Sequence, residues 1–242
     1  MKSILITGAG SGIGRACAIA CAQAGWELAL VGRRVEALEE TARLAGRGHV
    51  LPGDVTKPEE VERVFAGAVE RMGRLDVLFN NAGRSAPPRV IDEMPLADWQ
   101  AVLDVNLTGA VLCARAAFGQ MRKQGGGRII NNGSISAHSP RPNSVPYTVT
   151  KHAITGLTRS LALDGRKFNI ACGQIDIGNA LTEMAAVIAR GVPQADGSIK
   201  PEPTMDVNDV AKAVLMMADL PLTSNVLFMT VTASSMPFVG RG

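Results

Sequence analysis

The sequence predicts an α/β fold, a doubly wound and mostly parallel sheet with helices on both faces. Two observations predict it. Seven short apolar runs of strand length alternate with six longer amphipathic stretches, the pattern of parallel strands joined by crossover helices. The first run opens directly into a glycine-rich turn, Thr7-Gly8-Ala9-Gly10-Ser11-Gly12-Ile13-Gly14. No repeat, low-complexity tract or linker interrupts the alternation, so residues 1–242 read as one domain.

In chain order, the strand-like runs are Ser3–Thr7, Glu27–Gly32, Gly48–Pro52, Leu75–Asn80, Gly127–Gly133, Phe168–Gln174 and Asn225–Val231. Apolar residues recur at helical spacing in Ile13–Ala24, Val35–Ala45, Pro58–Met72, Ala97–Lys123, Tyr147–Leu163 and Asp206–Ala218. The Pro- and Gly-containing stretch Arg190–Pro203 reads as a loop, part of a lid over about 180–203.

Composition narrows the class. Apolar residues make up 46% of the chain, ample for a buried core. The longest apolar runs are strand-sized and broken by Gly or charge, so no membrane-spanning helix is expected. The N-terminus reads as a strand rather than a signal peptide. Cys17, Cys21, Cys113 and Cys172 contain no CxxC pair and suit small-hydrophobe packing in a reducing cytoplasm. No cluster has metal-ligand spacing. A net charge of +3, with Lys and Arg scattered among acids, is a poor match to nucleic acid.

The glycine turn stands between the first strand and the first helix, where backbone N–H groups can receive a pyrophosphate at a helix N-terminus. Its spacing is not strictly GxGxxG. The second strand ends in Val31-Gly32-Arg33-Arg34, with no acid at its tip to hold a ribose 2′-OH. Glu27 lies at the strand's other end. Two guanidiniums there suit a 2′-phosphate, and hence NADP(H) over NAD(H), unless they are solvated helix-start residues, which would leave either cofactor open. Asp54-Val55 and Asn80-Asn81-Ala82-Gly83 follow the third and fourth strands, at the carboxyl ends that form a ligand crevice. They could equally be turn formers. Asn106, flanked by Val105 and Leu107, reads as a buried, hydrogen-bonded amide.

Tyr147 is the sole tyrosine, and Lys151 follows it by four positions, on one face of a helix that Pro146 can open. Bringing a phenol from ~10 to about 7 needs ~4 kcal/mol. One cation at ~4 Å with an effective dielectric of ~20 supplies about that much. The pair can therefore act as a proton donor near working pH, or be an ordinary helix contact. Ser134, thirteen positions earlier, could donate to a carbonyl oxygen beside the tyrosine. No G-x-S-x-G elbow surrounds it, and His49, His138 and His152 are poorly placed to serve as its base. His138 reads as exposed, or as lining a pocket.

Taken together, Thr7-Gly8-x-x-x-Gly12-x-Gly14, Asn80-Asn81-Ala82-Gly83, Asn106, Ser134 and Tyr147-x-x-x-Lys151 resemble the short-chain dehydrogenase/reductase family, in its order and approximate spacing from end to end. The resemblance implies a Rossmann-type, seven-stranded sheet and a nicotinamide cofactor. It also implies a catalytic tetrad. Tyr147 would be the general acid/base, and Ser134 would hold the substrate oxygen. Lys151 would lower the phenol's pKa and hold the nicotinamide ribose, while Asn106 positions a water that relays protons. It sets Gly8, Ser11, Gly12, Ile13 and Gly14 on the phosphates and Arg33 and Arg34 at the 2′-phosphate. Asp54 and Val55 would meet the adenine; Asn81, Ala82 and Gly83 would lie along the cofactor. Ala180 and Thr182 would reach the carboxamide after Gly178.

The chain departs from the family in two places. Ile177-Gly178 replaces the usual Pro-Gly, with Asp176 and Asn179 unusual beside it. Ser11 stands where some NADP-binding members carry a basic residue. The substrate reads as a small carbonyl or secondary alcohol. Its pocket would be built from Arg84–Pro95, Ile135–Pro146 and the lid, in which Met184, Val187 and Ile188 share one face. Arg84, Arg89 and Arg141 could attract an anion, though solvated loop arginines are commoner. Family members usually form homodimers or homotetramers, here through Ala97–Lys123 and Tyr147–Leu163. The alternatives are a non-catalytic dinucleotide sensor on the same fold and, less well matched, a serine hydrolase.

Overall fold

A computed structural model describes residues 1–183, 188 and 190–239; of the lid face, Met184 and Val187 lie outside them. Strand β1 (Ser3–Thr7) is buried along its whole length, as expected of a strand covered on both faces. It pairs in parallel with β2 (Glu27–Gly32) and β4 (Val77–Asn80), so that Ile4 lies beside both Leu28 and Val77. With β3 (His49–Pro52), β5 (Gly127–Asn132), β6 (Ile170–Ile177) and β9 (Phe228–Val231), they form a seven-stranded sheet. Its order is β3-β2-β1-β4-β5-β6-β9. Every ladder in that sheet is parallel. The strand order reverses between β1 and β4, which places the ligand crevice beyond their carboxyl ends.

Period-two alternation divides the core between the two faces of the sheet. Ile4, Ile6, Leu28 and Leu30 pack with α1 (Gly12–Gln23) and α7 (Val207–Asp219). Leu5, Ala29, Leu78 and Ile129 pack with α3 (Pro58–Met72) and α5 (Ala110–Lys123). The intervening α2 spans Val35–Ala45, and α6 spans Val145–Asp164. Helix ends follow local chemistry. Pro58 opens α3 with Glu59 and Glu60 in its first turn, acids suited to a positive helix end.

Two elements differ from the sequence pattern. The sixth strand starts two residues later than expected, because Arg166–Phe168 forms a 3₁₀ turn closed by Asn169 at φ +57°. It runs on to Ile177, which makes Asp176 a strand residue. The helix expected over Ala97–Lys123 is α4 (Leu96–Leu103), a π turn over Asp104–Gly109, and α5. Leu96–Lys123 is also longer and more apolar than the sequence reading allowed. By length and a mean hydropathy of 1.4 it could cross a bilayer. Part of it serves the core, with Val102, Cys113, Ala117 and Met121 buried, while Leu96 and Val111 are exposed. The stretch read as a loop at Arg190–Pro203 contains a short antiparallel hairpin, β7 (Val192–Pro193) and β8 (Ile199–Lys200).

Candidate active site

The carboxyl ends of β1, β4, β5 and β6 open into a cavity of about 760 Å³, within the range of cofactor and ligand sites. At one end stands the glycine turn. Gly8 has φ +68°, and a side chain there would begin 3.0 Å from Asn81 Nδ2. A Cβ at Gly14 would collide with the carbonyl of Gly8, so Gly14 sets the close packing of turn and helix and lies behind the cavity wall. Ser11 caps α1 in extended conformation without a side-chain capping bond, and no acid occupies the first turn. The first amides of the helix are thus left for an anion.

Arg33 and Arg34, after β2, line the same end of the cavity and are exposed. Neither guanidinium makes a hydrogen bond or ion pair with another described residue. Glu27, at the other end of β2, lies near Arg47 and His49, away from this crevice as its register requires. Asp54 and Val55 line the wall, and Asp54 Oδ1 accepts from the N–H and hydroxyl of Thr56.

Asn81, Ala82 and Gly83 line the cavity, and Asn81 is also a staple. Its N–H and that of Ala82 donate to Thr7 Oγ1 at 2.9 Å, its Nδ2 donates to Thr7 O at 2.8 Å, and its Oδ1 accepts from Asn132 Nδ2 at 2.8 Å. Beyond β6, Gly178, Ala180 and Thr182 also line the cavity. A Cβ at Gly12 would lie 3.3 Å from Thr182 Cγ2, which brings the lid's first residues against the glycine turn.

Ser134, Tyr147 and Lys151 line the cavity's other end. Lys151 is 5% exposed and donates from Nζ to Asn132 O at 2.8 Å. That ammonium lies 5.5 Å from the centre of the Tyr147 ring. Ser134 is buried, and its Oγ accepts from the N–H of Ser136, which leaves the hydroxyl proton to donate elsewhere. Asn106 lies on the π turn, behind the cavity wall rather than on it. Its Oδ1 accepts from the N–H of Arg84 at 2.8 Å, and its Nδ2 donates to Arg84 O at 2.9 Å and Thr150 Oγ1 at 3.4 Å. The expectation of a satisfied buried amide holds.

The sequence reading gave no account of Asp176 and Asn179; the fold does. Asp176 is 1% exposed. Its Oδ1 accepts from the N–H of Ser134 at 2.9 Å and from Gln174 Nε2 at 2.7 Å, and its Oδ2 lies 2.9 Å from His138 Nε2. The polar chain continues from Gln174 to Thr158, Asn131 and Asn80, tying the ends of β4, β5 and β6 beneath the wall that carries Ser134, Tyr147 and Lys151. An Asp–His pair therefore does lie beside Ser134, but it reaches the serine's backbone N–H and not its hydroxyl. His138 is half-exposed, neither free nor among the residues lining the cavity. Asn179 belongs to a second buried cluster with Arg141 and Glu202. Three polar residues in six, Gln174, Asp176 and Asn179, at and just beyond the end of an otherwise apolar strand were the available signal.

Burial pushes the Cys21, Cys113 and Cys172 thiols up to about 12, and Cys17 likewise rises. All four are unpaired and buried, the inert packing expected of them.

Comparison with known proteins follows the same residues. A family model described as short chain dehydrogenase matches residues 2–192. The chain belongs to the short chain dehydrogenase family. It is similar to a 3beta-hydroxysteroid dehydrogenase of Mediterraneibacter gnavus, with 36% identity over 181 residues, 72% of this chain and 64% of that relative. Among solved structures it shares its fold with a 3-ketoacyl-(acyl-carrier-protein) reductase from Brucella melitensis complexed with NADH, at TM-score 0.87 and 24% identity over 97% and 98% of the two chains. It is likewise similar to an actinorhodin polyketide ketoreductase with NADPH, at TM-score 0.85 and 28% identity over 95% of each chain. As a member of the family, this dehydrogenase is an oxidoreductase that transfers hydride with a nicotinamide dinucleotide.

Proposed function

We propose that this short chain dehydrogenase is NADP(H)-preferring and interconverts a small carbonyl and its secondary alcohol, with Tyr147 as general acid/base. What carries the reading is one wall holding Ser134, Tyr147 and a 5% exposed Lys151 in the same cavity as the open glycine turn.

Gly8, Ser11, Gly12 and Ile13 would hold the phosphates, with Gly14 packing the helix onto the turn behind them rather than touching the cofactor as the sequence suggested; Arg33 and Arg34 would hold a 2′-phosphate, and Asp54 and Val55 the adenine. Asn81, Ala82, Gly83, Gly178, Ala180 and Thr182 would line the nicotinamide half. The turn fits the group, since its helix amides are uncapped and both guanidiniums are unspent. When bound, the nicotinamide supplies or takes up the hydride.

The chain's own residues do the rest. Ser134 Oγ donates to the substrate oxygen, its orientation set by the bonds at its backbone and Oγ. The Tyr147 hydroxyl gives that oxygen a proton in reduction and removes it in oxidation. Lys151 places a fixed positive charge beside the tyrosine ring, and Asn132 O holds it there. The Asn106 side chain is committed to Arg84 and Thr150, so a relay water would rest on its backbone.

We read residues 1–242 as one dehydrogenase domain, with the segment after Gly178 as its lid and the cytoplasm as its compartment. Exposed Leu96, Val111, Val149 and Leu163 on α4, α5 and α6 suit a homodimer or homotetramer. Fluorescence titration with NADPH and NADH, followed by a carbonyl panel with the tighter cofactor, tests the reading. NADPH binding tighter than NADH with turnover of a ketone is expected; binding of neither cofactor would sink it.

A further inference from the structure

The substrate end of the cavity carries a cation whose charge is already spent. Arg141, in the loop before α6, lines the cavity with Ser134 and Tyr147. Its Nη2 lies 2.5 Å from Glu202 Oε2 and 2.7 Å from Asn179 Oδ1. Its Nε has no hydrogen-bond partner among the described residues. Glu202 is 4% exposed. Its Oε2 also accepts from Asn179 Nδ2 at 2.8 Å, and its Oε1 accepts from Gln194 Nε2 at 3.0 Å. The carboxylate thus joins the loop before α6, the chain just after Gly178, and the β7–β8 hairpin.

Three roles compete for this cluster. A bolt that merely closes the lid needs no charge, because apolar residues of equal volume often hold a buried contact as well or better. An anion receptor needs a free guanidinium, and Glu202 already occupies this one from within the chain. The third role is cancellation. With Arg141 neutralised, what remains of the wall at this end is uncharged, the apolar Ile135, Pro142, Ile188, Val192 and Pro193 beside the neutral Ser136, Asn143, Ser144 and Asn179. A charged group on the substrate would lose hydration there and gain no counter-ion from Arg141.

We propose that Glu202 is a specificity-determining residue: by pairing with Arg141 it sets the site for uncharged, apolar carbonyl or alcohol substrates and against carboxylate-bearing ones of the same size. The inference rests on the oxidoreductase reading above. It also removes Arg141 from the arginines that could draw in an anion. Arg89 is exposed and does not line the cavity, so Arg84, exposed on the cavity wall, is the one that remains.

The test compares wild type, Glu202→Gln, Arg141→Met and the double variant on acetophenone and its ortho, meta and para carboxylates. Arg84 is common to all four proteins and drops out of the comparison. In Glu202→Gln the best keto-acid-to-ketone ratio of kcat/KM should rise about tenfold or more, the worth of one charge-assisted hydrogen bond. The double variant should lose that rise. In Arg141→Met the ratio should fall below wild type, because the Glu202 charge, still held by Asn179 and Gln194 behind the cavity wall, is then no longer cancelled by a cation. Benzoate binding by calorimetry supplies a readout without turnover: it should tighten in Glu202→Gln and not in wild type or the double variant.

Unchanged ratios and unchanged benzoate binding in folded Glu202→Gln overturn the proposal. So does a wild-type preference for a keto acid that Arg141→Met abolishes. Should Glu202→Gln fail to fold, an unchanged ratio in Arg141→Met overturns it alone. If no protein turns over any of these ketones, the site does not take aryl ketones, a failure separate from that of the proposal, and the benzoate arm still decides the role of Glu202.

Discussion

The two ends of the cavity are built on opposite plans. At the end proposed to be catalytic Ser134, Lys151, Asn106 and Asp176 are each buried to at least 95%, and the polar atoms that orient them have partners within the chain. At the proposed nucleotide end Arg33 and Arg34 stand exposed and unpaired among the described residues, and α1 begins without a side-chain cap. The first plan fixes geometry before any ligand arrives, which is what positioning a reacting oxygen requires. The second leaves donors unspent, so the energy of satisfying them is released on binding. Substitutions should divide the same way, with rate lost at one end and affinity at the other.

Tyr147→Phe gives the sharpest division and the largest effect. It keeps the ring and its packing and removes the proton. Turnover should fall by about 10²–10⁴, while fluorescence titration returns wild-type cofactor affinity. Near-normal turnover would remove Tyr147 from its role. Asp176→Ala comes next and asks whether the catalytic end is as preset as its bonds imply. It strips the acceptor from the N–H of Ser134, from Gln174 and from His138. Each buried donor left unpaired costs about 1–3 kcal/mol. A drop in melting temperature should therefore accompany a roughly 10–100-fold loss of kcat with little change in KM, if each donor's cost reaches the transition state. Asp176→Asn keeps one carbonyl acceptor and should recover most of the rate. Equal kcat in Asp176→Ala and wild type would reduce the buried carboxylate to a packing element.

Why the two ends differed in legibility follows from how their residues meet. The Tyr147–Lys151 pair and the glycine turn are local, so spacing along the chain reports spacing in the fold. The alternation of runs likewise brought out all seven strands: burial on both faces makes the five inner ones nearly continuous apolar segments, and the more exposed edges β3 and β9 are still short apolar runs. Asp176 meets Ser134 across 42 positions and Arg141 meets Glu202 across 61, and no local period encodes such a contact. The π turn under Asn106 was hidden for another reason. Its apolar spacing continues through from α4 to α5, while the extra residue per turn is a backbone matter decided by packing. Arg141 was legible only as a loop cation, because nothing near it announces the acid that cancels it.

At the nucleotide end, Arg33→Ala and Arg34→Ala, singly and together, sharpen the comparison from the other side. The double variant should bind NADPH about tenfold or more weakly, the worth of a charge-assisted contact to phosphate. NADH affinity and the kcat reached at saturating cofactor should hardly move. An equal loss for both cofactors would place the guanidiniums on the pyrophosphate or adenine rather than a 2′-phosphate. A loss of kcat at saturation would mean that the two ends are not separable.

The smallest effect at working pH belongs to Glu202, although the group is nearly buried. Burial opposes its charged form. The donations from Arg141, Asn179 and Gln194 outweigh that cost and carry the carboxyl from 4.5 down to about 2. A folded-state value below the unfolded one means that the unfolded chain binds more protons between those limits. Glu202 therefore adds stability above 4.5 and loses it progressively as pH falls toward 2. Through the neutral range the clasp stays ionised and its contribution is flat. Urea midpoints for wild type and Glu202→Gln should accordingly run parallel from neutral pH down to about 5, then converge in acid as wild type sheds the extra term. Taking the difference between the two proteins cancels the other carboxylates. A difference that instead changes near neutrality would show the pair to be loosely held and open to solvent, and the contrast between a preset catalytic end and an unspent nucleotide end would then stop short of the lid.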